Sequence, residues 1–244
     1  MTKIRTVLIT GGAKRIGLAV SKYLHQHGFN IIITYNKSEN NAKKISRTLN
    51  NDRPDSCAII KTNFSTIKSY NLLYDKALKV FGRIDVLINN ASKFYPTRID
   101  MINDKNWTDI INTNLKTPLF LSKLFFPELK KRKGSIINII DIHVSPPLRN
   151  HIIYNLSKAG LLALTQSLAK DLAPLVRVNG VSPGAIMWPK SINKKRKKEI
   201  ISKIALQRIG EPDDIAKTIL FLITNGDYIT GQNINVDGGR RLNM

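Results

Sequence analysis

Residues 4–28 read IRTVLITGGAKRIGLAVSKYLHQHG, and the reading of the whole chain starts from this stretch. An apolar run of strand length, 4–9, enters a turn with glycines at 11, 12 and 17 and passes into helix-forming sequence. Glycine permits a tight turn and close backbone approach, and the first turn of the following helix offers N–H groups with no helical partner. Placed between a first strand and a first helix, such a turn suits the pyrophosphate of a dinucleotide. Its middle position carries Arg15 where a glycine would be ordinary. A guanidinium there can grip phosphate in bidentate fashion or reach over the cofactor to a substrate.

The same alternation continues. Strand-length apolar runs at 30–34, 57–61, 84–88, 135–140, 176–181 and 233–236 are separated by helix-like segments at about 16–27, 39–50, 66–81, 104–126, 151–173 and 212–224. Buried strands alternating with amphipathic helices predict an α/β fold: a doubly wound parallel sheet with helices on both faces. With no repeat, low-complexity tract or linker, residues 1–244 read as a single domain. The stretch at about 183–200 holds two prolines between a strand and a helix and reads as a mobile loop over the site.

Composition narrows the setting. The 244 residues are 42% hydrophobic, enough for one sizeable core. No run approaches the ~18 apolar residues of a membrane helix. The first residues enter a strand at once, so no secretory signal is expected. Cys57 is the only cysteine, which excludes an intrachain disulfide and fits a reducing cytoplasm. The net charge is +22, from 39 Lys and Arg against 17 Asp and Glu. Apart from runs at 129–134 and 193–198, the basic residues are spread. They read as solvated faces that help an anionic cofactor approach, not as a nucleic-acid surface.

The end of the second strand, TYNKSEN, places Asn36, Lys37 and Ser38 where a carboxylate would hold an unphosphorylated ribose. A cation and a hydroxyl there favour a 2′-phosphate, hence NADPH. The chemistry points to Asp141, Tyr154 thirteen positions on, and Lys158 four further, a helical spacing that puts the last two on one face. A phenol beside a fixed ammonium is expected to have a lowered pKa and to give a proton while something else delivers a hydride. Asp141 joins them if the strand before it ends beside that helix. Otherwise it is a loop cap. Phe94 and Tyr95 read either as site walls or as loop anchors, and Trp188 either closes over a substrate or pins its loop. His143 and His151 have no partner at ligand spacing, so no metal is expected.

TGG-x-x-x-I-G, NNAS at 89–92, Asn114 in INTNLK, YNLSK at 154–158, SPG at 182–184 and ITGQNINVDGG at 229–239 occur in that order. The set resembles the short-chain dehydrogenase/reductase family over nearly the whole chain. The resemblance implies a seven-stranded Rossmann-type sheet, an NAD(P) cofactor and often a homotetramer. It implies dinucleotide contacts from Gly11, Arg15, Ile16, Gly17, Asn36, Lys37, Ser38, Asn63, Phe64, Asn90, Ala91, Ser92, Tyr154, Lys158, Pro183 and Gly184. Asn63 stands where many members have an aspartate that touches adenine.

Most members carry a serine thirteen residues before the tyrosine, where this chain has Asp141. That exchange, Arg15, NNASKFYPT at 89–97 and IDIHVSPPL at 140–148 resemble the pteridine reductases. Asp141, Tyr154, Lys158 and Asn114 are then catalytic, the last steadying a water-linked proton path. Arg15, Ser92, Phe94, Asp141, Tyr154 and Trp188 border a pterin or folate. Two other readings stay open: a ketoreductase acting on 3-oxoacyl thioesters, and a basic nucleic-acid-associated protein with a vestigial site.

Overall fold

The computed structural model describes residues 4–64, 66–188 and 192–244. Among them, seven strands form one parallel sheet: β1 (Thr6–Ile9), β2 (Asn30–Tyr35), β3 (Cys57–Lys61), β4 (Val86–Asn89), β5 (Ser135–Ile139), β6 (Arg177–Pro183) and β7 (Asn233–Val236), in the order β3-β2-β1-β4-β5-β6-β7. The helices are α1 (Arg15–Gln26), α2 (Glu39–Asp52), α3 (Ile67–Phe81), α4 (Asp104–Ile111), α5 (Thr117–Arg132), α6 (Ile152–Leu172), α7 (Lys194–Ser202) and α8 (Pro212–Thr224).

Strand alternation explains the two cores. Val7, Ile9, Ile31 and Ile33 pack on one face with Val20 and Leu24 of α1 and Ile215 and Ile219 of α8. Their neighbours Leu8 and Ile32 point to the other face, onto Tyr70 and Leu73 of α3 and Leu121 and Phe125 of α5. Successive side chains in a strand face opposite sides, so a run apolar at every position is buried on both. Each such Ile or Leu contributes roughly 1.5–3 kcal/mol of burial.

The order places β1 beside β4, with Val7 opposite Val86 and Ile9 opposite Ile88. From β1 the chain winds one way to β2 and β3, and from β4 the other way. The crevice above this reversal, at the carboxyl ends of the strands, is where open α/β sheets take ligands.

Three expectations need correction. The helix predicted over 104–126 is two helices joined by a π-helical segment, Asn112–Lys116, and the second runs on to Arg132. The loop predicted over 183–200 is helical from Lys194, because lysine and arginine are good helix formers even without an apolar stripe. Residues 189–191 of that loop lie outside the described residues. Several strand ends also shift, β1 starting at Thr6 and β4 at Val86.

Candidate active site

The turn after β1 is held open by its own hydrogen bonds. Thr10 Oγ1 accepts from the N–H groups of Asn90 (2.9 Å) and Ala91 (3.0 Å), and Asn90 Nδ2 donates to the carbonyls of Thr10 (2.9 Å) and Gly11 (3.1 Å). Gly11 has φ +65°, a left-handed conformation that suits glycine. A Cβ on Gly17 would lie 2.6 Å from both Gly11 O and Asn90 Nδ2. The glycines therefore bring β1, α1 and the end of β4 into contact. The N-terminus of α1 has no side-chain cap and no acid in its first turn, which contains Arg15, Ile16 and Gly17. An uncapped helix start behind a glycine turn fits a pyrophosphate. Arg15 is exposed and has φ +52°. It holds a glycine-like backbone with a bulky side chain, at a cost of about 1–2 kcal/mol.

At the end of β2, Asn36 and Lys37 are exposed and Ser38 is half-buried at the start of α2. The nearest acid, Glu39, is engaged by Lys43 at 2.7 Å and approached by Lys61 at 3.9 Å. Asn63 and Phe64 follow β3, the former exposed and the latter half-buried. Pro183 ends β6, and a Cβ on Gly184 would lie 2.6 Å from Asp237 Cα. These positions, with Asn90, Ala91 and Ser92, all follow the carboxyl ends of strands.

Asp141 follows β5, and Tyr154 sits in the first turn of α6. Tyr154 Oη donates to Asp141 Oδ2 at 2.6 Å, while Asp141 Oδ1 accepts from the His143 N–H at 2.8 Å. The carboxylate thus caps the short turn 142–144 with one oxygen and meets the phenol with the other. Tyr154 is 5% exposed. Burial first, then the charge and hydrogen bond of Asp141, push its pKa well above the ordinary phenol value.

This overturns the expectation of a phenol made more acidic by Lys158. Lys158 Nζ lies 5.8 Å from the Tyr154 ring centre and donates to the Ile139 carbonyl at 2.8 Å. Burial pulls its own pKa down to about 8, against the opposing pull of Asp141. The nearer carboxylate outweighs the farther ammonium.

Asn114 is fully buried in the π-helical segment, an element that recurs at functional sites. Its Oδ1 accepts from Lys93 N (2.7 Å) and Ser92 Oγ (3.2 Å); its Nδ2 donates to Lys93 O (3.0 Å) and Ser157 Oγ (3.0 Å). Ser157 Oγ donates in turn to Tyr154 O at 2.7 Å. All four bonding positions of the amide are occupied within the protein. It ties the loop after β4 to α6.

That loop carries Phe94. Its ring stacks on His151 (centroids 4.8 Å, 16°) and meets Tyr154 edge-on (4.8 Å, 80°), yet it stays 58% exposed. Tyr95 Oη donates to Asp109 at 3.1 Å and Lys93 pairs with the same carboxylate, so Tyr95 is the anchor and Phe94 the open face. Trp188 is half-buried, with Lys197 Nζ 5.7 Å from its ring. Among the described residues, no group of three or more His, Cys, Asp or Glu could hold a metal ion. No described helix is long and apolar enough to cross a membrane.

Sequence reasoning missed Thr10 and Ser157, and weighed His151 only as a metal ligand. The first two lie inside motifs already quoted, one position from the glycines and from Lys158. His151 is brought to Phe94 by pairing of Thr97 with His151, a long-range contact without a local signal.

A family model described as enoyl-(acyl carrier protein) reductase matches residues 11–241. The chain belongs to the short-chain dehydrogenase/reductase family. It is 31% identical to pteridine reductase 1 of Leishmania tarentolae, over 96% of each chain. It is also similar to the 3-oxoacyl-[acyl-carrier-protein] reductases FabG of Staphylococcus aureus strain Mu50 (31%, over 98% of this chain and 99% of the relative) and Thermotoga maritima (33%, over 96% and 97%). It is an oxidoreductase of the kind that uses NAD(P)H.

Proposed function

We propose that this protein is a pteridine reductase that uses NADPH to reduce the C=N bond of a dihydropterin or dihydrofolate. The observation that carries the reading is the 2.6 Å hydrogen bond from Tyr154 to Asp141. Reduction of a ketone and of an imine each takes one hydride and one proton; what the Asp141 carboxylate adds beside the phenol is a second group to relay that proton and an acceptor for the N–H groups of a pterin. With its pKa raised, the phenol keeps that proton at neutral pH. Giving it up leaves two negative oxygens side by side, a state that the Lys158 cation offsets. Asp141, half-buried where Tyr154 is buried, provides the route by which solvent restores the proton.

The exposed face of Phe94 suits a flat heterocycle. NADPH, when bound, supplies the hydride. Gly11, Arg15, Ile16 and Gly17 would hold its pyrophosphate; Asn36, Lys37 and Ser38 its 2′-phosphate; Asn63 and Phe64 the adenine; Asn90, Ala91, Ser92, Lys158, Pro183 and Gly184 the nicotinamide half. Arg15, Ser92 and Trp188 would border the pterin. The reading includes a homotetramer in the cytoplasm and no nucleic-acid partner.

The relatives named FabG favour a second reading, reduction of 3-oxoacyl thioesters. Steady-state NADPH oxidation with dihydrobiopterin, dihydrofolate and an acetoacetyl thioester separates the two. Pterin turnover lost in Tyr154→Phe and in Asp141→Ala is expected; thioester turnover with none on pterins would transfer the assignment.

A further inference from the structure

Next to the catalytic carboxylate lies a cavity of about 220 Å³. One wall is the loop after Asp141, from His143 to Leu148. The second is a face of α7, where Arg196, Glu199, Ile200 and Lys203 share one side at helical spacing, and the third is the final turn, with Arg240 and Met244. Arg241 Nε donates to Ser145 O at 3.0 Å and fixes that turn against the loop. The cavity is below the size of a complete drug-like ligand site and suits one substituent of a larger molecule.

Its charge is unbalanced. Arg196, Lys203 and Arg240 line it with a single acidic side chain, Glu199, which already pairs with Arg196 at 2.9 Å. Arg240 Nε is buried with no hydrogen-bond partner. Among the described residues no carboxylate lies within ion-pair distance of the Arg240 guanidinium. Burial holds its pKa below the usual arginine value, against the opposing pull of the more distant Asp141 and Asp237 charges. A guanidinium with a buried, unpaired Nε–H is unfavourable until an acceptor meets it, and a carboxylate matches its fork in bidentate fashion. The basic run at 193–198, read from sequence as a solvated face, stays exposed and lends Arg196 to the rim of this open cavity.

We propose that this cavity is a second substrate subsite, which takes a carboxylate carried on the side chain of the pterin, with Arg240 as its principal ligand. The proposal rests on the pteridine-reductase reading. It predicts selectivity for dihydrofolate, which ends in a glutamyl group, over dihydrobiopterin, whose side chain is neutral.

The test has a binding arm and a turnover arm. Calorimetry with p-aminobenzoyl-L-glutamate alone should show salt-sensitive binding that weakens at least about tenfold in Arg240→Met, as expected for a lost charge-assisted contact. The dimethyl ester should bind neither form. In turnover, the kcat/KM ratio of dihydrofolate to dihydrobiopterin should fall by a similar factor, through KM. Lys203→Gln provides the same comparison should Arg240→Met fail to fold. Equal affinity of the glutamate for wild type and variant, or an unchanged ratio, would overturn the subsite. Tail binding of this kind in a protein that reduces no pterin would keep the subsite and remove the reductase assignment. Dihydrobiopterin turnover with no Arg240-dependent binding would do the reverse.

Discussion

Asp141→Asn tests the central hydrogen bond with the smallest change of shape. The carboxylate uses both oxygens, Oδ1 for the His143 N–H and Oδ2 for the Tyr154 phenol. An amide has one acceptor oxygen, so its NH₂ must face one of these donors, and the phenol turns away or accepts instead. A hydrogen bond to a charged group is worth about 1.5–3 kcal/mol. At about 1.4 kcal/mol per pKa unit, its loss lowers the Tyr154 pKa by roughly one to two units. Burial, the larger cause of the upward shift, persists, so the phenol stays above its ordinary value. The chain has seven tyrosines, and subtracting the ultraviolet titration of Tyr154→Phe isolates the one in question. Turnover should fall by about 10²–10³, with dinucleotide affinity unchanged. An identical phenol titration in wild type and Asp141→Asn would refute the reasoning, as would retained activity.

Holding the buried Lys158 at about 8 instead of its usual 10.5 costs about 3 kcal/mol below pH 8. Between about pH 8 and 10.5 the unfolded state keeps a proton that the folded state has released, so the contribution of this group to stability rises with pH there. Lys158→Met should abolish turnover yet stabilise the cofactor-free protein at pH 7 by about 2 kcal/mol, after about 1 kcal/mol for the lost bond to Ile139; urea unfolding that shows destabilisation would count against it. Lys37→Asp should lower the NADPH-to-NADH ratio of kcat/KM by about 10–100-fold while barely touching stability, since Lys37 is exposed. An unchanged ratio would remove Lys37 from the 2′-phosphate site. Gly184→Ala should destabilise by about 1–3 kcal/mol, because its Cβ would lie 2.6 Å from Asp237 Cα. A change under about 0.5 kcal/mol would show that β6 and β7 can spread there.

The fold was legible because burial on both faces writes itself into the chain as largely apolar runs, from VLI at 7–9 to IINI at 136–139, where Asn138 is the one polar member. What escaped has physical reasons. The π-helical turn at 112–116 differs from its flanks by one residue in hydrogen-bond spacing, which no periodicity of five residues can reveal. In α7, KKRKKE has no apolar stripe, so helix propensity was its only signal. Motif spacing indicated that Asp141, Tyr154 and Lys158 come together, but not their electrostatics. Whether Lys158 or Asp141 governs Tyr154 depends on a contact of 2.6 Å and on burial, and spacings of four and thirteen residues carry neither quantity. The pairing of Phe94 with His151 likewise joins segments 57 residues apart.

The strand order has a consequence for assembly. Val7 meets Val86, so the glycine turn acquires its wall of Asn90 and Ala91 only after some 80 residues have been closed into a loop. Closure of that length costs roughly 4 kcal/mol in chain entropy by the (3/2)RT ln n estimate. No amino-terminal fragment ending before β4 carries the grip for a pyrophosphate. A dinucleotide held at this turn would therefore favour the folded chain over such a fragment, and at a hundredfold excess over its dissociation constant would add about 2.7 kcal/mol to the folded state. The reductant of the reaction would then double as a folding aid of the simplest kind, one that works by mass action.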